Sequence, residues 1–125
     1  MWIPVSLFAL AIAQQAAAQP DPTLTLGSFL DRWARVESLK EMARVDPDTR
    51  LLAEAFARSI VEWKAGLDAD AAAGRPPHAC PVKGSSVSFR TEEIVPVLRA
   101  MPAEARARPF RDAMADYLNK RFPCA

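Results

Sequence analysis

The chain has 125 residues, enough for one domain and too few for two, with a formal net charge of +1 from sixteen basic and fifteen acidic side chains. Such a balance argues against a dedicated nucleic-acid binder, which usually carries a clear basic excess. The charge is uneven: residues 26–73 hold nine acids and seven bases, and residues 74–125 hold five acids and nine bases. Arg99, Arg106, Arg108 and Arg111 stand close together in that basic half. They read as a solvated helix face or as part of a partner surface, where arginine is favoured.

The first 18 residues carry no charged side chain. Trp2, Ile3, Val5, Leu7, Phe8, Leu10 and Ile12 form an apolar core shorter than the roughly 20 residues that a membrane-spanning helix needs. Gln14 and Gln15 interrupt it, and Ala16-Ala17-Ala18 follows. This is the layout of a secretory signal peptide over 1–18, cleaved between Ala18 and Gln19 and leaving a single domain over 19–125. No Lys or Arg precedes the apolar core, so an uncleaved anchor or a misplaced start codon is the competing reading. A cleaved leader places the mature chain outside the cytoplasm, with no membrane segment left.

Pro20 and Pro22 keep the next stretch extended. Thr25 is positioned to cap a helix whose apolar residues, Leu26, Phe29, Leu30, Trp33, Val36 and Leu39, recur in steps of three and four, which predicts a helix over 26–45. Asp46-Pro47 ends it and starts the next, with Asp46 as cap and Pro47 in the first turn, where its missing N–H costs nothing. Leu51, Leu52, Ala55, Phe56, Ser59, Ile60, Trp63 and Leu67 trace one stripe of a second helix over 47–73, with Glu54 and Arg58 spaced for an ion pair. Gly74 is its natural stop. Trp33 and Trp63, mid-stripe, read as core. Residues 74–90 form one long loop rich in Pro, Gly and Ser, where Val87 and Phe89 are too few to found a sheet. A third helix is expected over 91–101, with Glu92 and Glu93 in its first turn, Ile94, Val97, Leu98 and Met101 on its apolar face, and Pro96 imposing a kink or a late start. A connector follows, then a fourth helix over 109–122 carrying Phe110, Ala113, Met114, Tyr117 and Leu118. Four helices without a credible strand make an all-α fold, an irregular bundle.

Two cysteines remain, Cys80 in Pro-Pro-His-Ala-Cys-Pro and Cys124 next to the chain end. An even count in an exported chain favours an intrachain Cys80–Cys124 disulfide. A metal site is the second reading, but two cysteines and the single His78 fall short of the four ligands that structural zinc takes. A Cys80–His78 nucleophile is the third, and it requires a free thiolate. Asp68-Ala69-Asp70 and Glu92-Glu93 read as solvated helical turns. No set of nucleophile, base and orienting group is visible, so the expectation is a binding protein that is not an enzyme and holds no cofactor.

The C-terminal half also carries a pattern. A Cys80-Pro81 turn precedes Glu93-Ile94-Val95-Pro96-Val97-Leu98, a Met-Pro-Ala-Glu connector follows, and an Ala-x-x-x-Tyr-Leu helix closes on Phe122-Pro123-Cys124. Over residues 80–125 this resembles the Rap/Tai family of type VI secretion immunity proteins. Many members carry further cysteines in the earlier helices, and residues 26–73 here carry none. The resemblance implies a small exported all-α protein of the periplasm that neutralises a peptidoglycan-cleaving amidase toxin, and that often forms a homodimer. On that reading a rigid helical body presents loop 75–88 to the toxin's cleft, with Arg75, His78, Lys83, Ser85 and Ser86 as polar contacts. The alternative is a helical periplasmic interaction module that shares only the scaffold.

Overall fold

The computed structural model describes residues 24–81 and 89–125. The leader over 1–18, its cleavage point at Ala18 and Gln19, and the loop residues Lys83, Ser85 and Ser86 lie outside the described residues. Four α-helices carry the fold: α1 (Leu26–Ser38), α2 (Pro47–Ala72), α3 (Thr91–Arg99) and α4 (Phe110–Arg121), with short 3-10 helices at Lys40–Val45 and Ala103–Ala107. No strand is present among the described residues, so the chain is all-α.

Local chemistry sets most helix ends where the sequence puts them. The Thr25 hydroxyl accepts from the Ser28 N–H at 3.1 Å, and the Asp46 carboxylate accepts from the Asp48 N–H at 2.9 Å. At the other end of α2, Gly74 takes a φ of +68°. Its N–H reaches the Ala71 carbonyl and the Arg75 N–H reaches the Asp70 carbonyl. These two bonds complete a Schellman closure, which needs glycine at its left-handed position.

The helix expected over 26–45 is divided. The α-helix stops at Ser38, and Lys40, the first residue of the 3-10 turn, adopts a φ of +51°. That conformation costs an L-residue roughly 1–2 kcal/mol. Tertiary bonds offset it. Arg35 grips Asp46 through both carboxylate oxygens at 2.9 and 2.7 Å and reaches Asp48 at 2.7 Å, while the Thr49 hydroxyl donates to the Ala43 carbonyl. Met42 and Val45 stand exposed, so no apolar contact would reward a continued α-helix there.

Four other expectations are corrected. Helix α3 starts on time at Thr91 and runs through Pro96, but ends at Arg99 instead of 101. Pro96 removes one hydrogen bond near the start of a short helix, and the helix tolerates it. Its buried face is Ile94, Val95 and Leu98, whereas Val97 is exposed. Glu54 pairs with Arg50 at 2.9 Å and not with Arg58, because helical side chains lean toward the N-terminus and carry Glu54 back over the preceding turn. Trp63 is buried as expected, but Trp33 is only half-buried.

The core fills the space between α1, α2 and α4, with α3 packed on α1 and α4. Leu26, Phe29, Leu52, Ile94, Leu98, Met114 and Leu118 are its largest fully buried side chains. Phe29 stacks on Phe110 with ring centres 4.0 Å apart. A two-bond bridge locks the entrances of α1 and α4 together: Leu26 N–H to the Arg108 carbonyl at 2.9 Å, and Phe110 N–H to the Leu24 carbonyl at 2.8 Å. Gly27 fits here because a side chain would press to 3.2 Å from the Arg106 carbonyl oxygen. Two of the four C-terminal arginines are paired at close range: Arg99 binds Glu37 at 3.0 Å and Arg108 binds Asp116 at 2.6 Å.

Candidate functional site

The chain leaves α2 at Gly74 and doubles back along it as an extended strap, residues 75–81. Three contacts hold the strap down. The Ala79 side chain is buried at 2% exposure. Cys80 donates its N–H to the Phe122 carbonyl at 2.8 Å. Cys80 and Cys124 are joined by a disulfide, with Cα atoms 4.9 Å apart across 44 residues of sequence. With both sulfurs in that bond, no thiolate is left for a metal ion or for nucleophilic attack, which removes the two competing readings of the cysteines.

Asp70 organises the strap's polar side chains. Its Oδ2 lies 2.8 Å from His78 Nδ1, and its Oδ1 accepts from Arg75 Nε at 3.2 Å. The His78 ring rests on Gly66, where a Cβ would sit 3.4 Å from Cε1, and turns an edge to Trp63 with centres 6.5 Å apart. Of the five contact residues expected from the sequence, Arg75 and His78 are therefore brought together on one carboxylate. The expectation that Asp70 belongs to a solvated turn is corrected: its carboxylate is 16% exposed and doubly bonded. The only sequence signal for it is an acid within a helical turn of a Gly stop that is followed by Arg and His.

An aromatic cluster lies beneath the strap and the chain end. Trp63 donates its indole N–H to Asn119 Oδ1 at 2.9 Å, tying α2 to α4. The Phe122 ring sits 5.8 Å from Trp63 and 6.3 Å from Phe89, and the Arg121 guanidinium lies 5.4 and 5.6 Å from the two phenyl ring centres. Such arginine–aromatic contacts add cation–π attraction to apolar packing. Elsewhere, Trp33, Val36, Ala43, Thr49 and Leu52 line an apolar cleft of about 190 Å³ with Glu37 and Lys40 on its walls.

Electrostatics give the strap a pH signature. The hydrogen bond from His78, then that from Arg75, hold the Asp70 carboxyl below its usual value of 3.8. Arg35, then the Asp48 N–H, do the same for Asp46. Both acids bind protons less readily folded than unfolded, so their contribution is present above the unfolded value and is lost progressively as pH falls from about 5 through the lowered folded values. The melting temperature is expected to be flat with respect to these groups from about pH 6 to 5 and to fall progressively from about pH 5 to 2. Asp70→Asn and Asp46→Asn should each flatten that fall, and a scan of melting temperature against pH checks it.

No described helix is long and apolar enough to cross a membrane. Comparison with known proteins finds no matching family model, no matching curated protein and no matching solved structure.

Proposed function

We propose that this chain is an immunity-type inhibitor that binds a peptidoglycan amidase toxin and closes its active-site cleft with loop 75–88. The observation that carries the reading is the Cys80–Cys124 bond. It joins the two segments, Cys-Pro and Phe-Pro-Cys, on which the resemblance to type VI secretion immunity proteins rests. The proposal includes export through the leader over 1–18 and action in the periplasm, where a disulfide persists.

The mechanism is occlusion and needs no chemistry from the inhibitor. A flexible loop entering a cleft loses conformational freedom on binding, at about 0.5–1.5 kcal/mol per immobilised side chain. Here the first half of the loop is already ordered: Arg75 and His78 are set by Asp70, Ala79 is buried and Cys80 is cross-linked. Arg75 and His78 offer donors suited to the polar groups and carboxylates that line a hydrolase cleft.

A small cell-wall amidase is expected to be encoded beside this chain's own gene; that enzyme is the one to test, and its absence from the neighbouring reading frames would favour the helical interaction module. Co-expression of the exported chain with that amidase directed to the periplasm is expected to restore growth. Arg75→Ala combined with His78→Ala should weaken the rescue while leaving thermal unfolding within a few degrees of the parent. Absence of rescue, together with envelope pull-downs that recover no cell-wall hydrolase, would overturn the reading and leave the helical interaction module.

A further inference from the structure

We infer that the Cys80–Cys124 bond is a thiol–disulfide exchange site for a dithiol protein of the Cys-x-x-Cys class, and that reduction frees the strap and the chain end while the helical core stays folded. Two independent observations carry this. The first is access. Cys80 and Cys124 are both exposed, and Cys124 lies on a non-helical tail one residue from the last. Exchange requires a thiolate to reach one sulfur of the bond, so exposure of the sulfur-bearing residues is the first condition for it.

The second is how little else holds the tail. Phe122 donates its N–H to the Leu118 carbonyl and accepts from Cys80, and its ring packs on Trp63. Beyond it, Pro123 has no N–H to donate. Cys124 Sγ lies 3.8 Å from the Pro77 carbonyl oxygen, which is contact only, because a disulfide sulfur carries no hydrogen. The anchors of α4 all precede Arg121: Phe110, Ala113, Met114 and Leu118 are buried, and Asn119 holds the Trp63 indole. Opening the bond therefore removes the main tie on residues 123–125 and leaves the helix seated.

The chemistry balances. The partner's thiolate attacks the Cys124 sulfur, the S–S bond breaks, and Cys80 leaves as a thiolate that takes up a proton. The partner's second thiolate then attacks its own sulfur in the mixed disulfide and releases Cys124 as a thiolate, which is protonated in turn. The chain gains two electrons and two protons, and the partner's dithiol is oxidised to a disulfide. In the opened state the strap keeps its Asp70 tie at one end and loses its covalent tie at the other, so the Cys80 N–H bond to the Phe122 carbonyl is free to break and the face of Trp63 that the Phe122 ring covers becomes accessible.

The test uses the oxidised full chain with reduced thioredoxin as the dithiol probe, under native conditions. Four readouts are followed together: maleimide labelling of Cys80 and Cys124, far-UV circular dichroism, partner oxidation, and hydrogen exchange at the Cys80 amide. The expected result is labelling of both cysteines with one partner oxidised per chain. The helical signal is retained, and Cys80 amide exchange is accelerated at least tenfold. The Cys80→Ser, Cys124→Ser double variant should show the fast exchange without any reductant. Labelling that appears only as the chain unfolds, collapse of the helical signal on reduction, or slow exchange retained in the reduced and doubly substituted chains would each overturn the proposal. These outcomes are independent of whether an amidase is bound.

Discussion

Replacing Cys124 with serine is expected to lower the unfolding free energy by about 2–4 kcal/mol. The upper end is the chain-entropy estimate for the loop that the bond closes, which encloses α3, the second 3-10 helix and α4. The lower end allows for structure kept by the reduced unfolded chain. At about 4–8 °C per kcal/mol for a domain of this size, the melting temperature should fall by roughly 8–32 °C. Cys80→Ser should match Cys124→Ser, and the double variant should lose little more, because the three remove one and the same cross-link. Reductant should bring the parent to the same midpoint and leave the variants unchanged. Denaturant unfolding with and without reductant makes the measurement, and equal midpoints for parent and variants would refute the clamp. Since native domains carry about 5–15 kcal/mol, the opened chain stays folded at room temperature, as the exchange proposal requires.

How far the sequence could be read depended on the range of the forces involved. Thr25, Asp46-Pro47 and Gly74 act through their own backbone or through residues two to five positions away, so the helix ends that they set were legible in order of sequence. The end of α1 was not, because its helical period continues through Leu39. What stops the helix is Arg35 reaching eleven residues on to Asp46 and thirteen to Asp48. Val95 and Val97 are alike in chemistry and flank Pro96, and only the seat of α3 on α1 and α4 decides that Val95 goes inward. The disulfide was legible from the even cysteine count. Asp70 was not, since its role exists only once the chain has reversed at Gly74 and laid His78 over Gly66.

The same tertiary logic makes Phe29→Ala the second large effect, a loss of about 3–5 kcal/mol. Phe29 is fully buried, stacked on Phe110 at 4.0 Å and facing Trp33 at 5.9 Å. The surroundings have little freedom to collapse into the cavity. The Leu26–Arg108 and Phe110–Leu24 bonds fix the backbones on both sides, and Gly27 already lies against the Arg106 carbonyl. A cavity that cannot relax retains most of its penalty, which places the expected loss in the upper part of the range seen for such truncations. Phe29→Leu keeps most of the volume and should lose less than about 1.5 kcal/mol. Phe110→Ala should resemble Phe29→Ala, and the double variant should fall short of the sum by about 0.5–1.5 kcal/mol, the coupling of the stacked pair. Urea midpoints measure all four, and a loss below about 1.5 kcal/mol for Phe29→Ala would show that the bridge does not hold the cavity open. The two large effects also combine. The disulfide acts on the unfolded chain and Phe29 on the folded one, so their losses should add to about 5–9 kcal/mol, comparable to the whole stability of a small domain. Phe29→Ala is therefore expected to fold when oxidised and to lose its helical signal when reductant is added, a conditional unfolding that neither the parent nor Phe29→Leu should show.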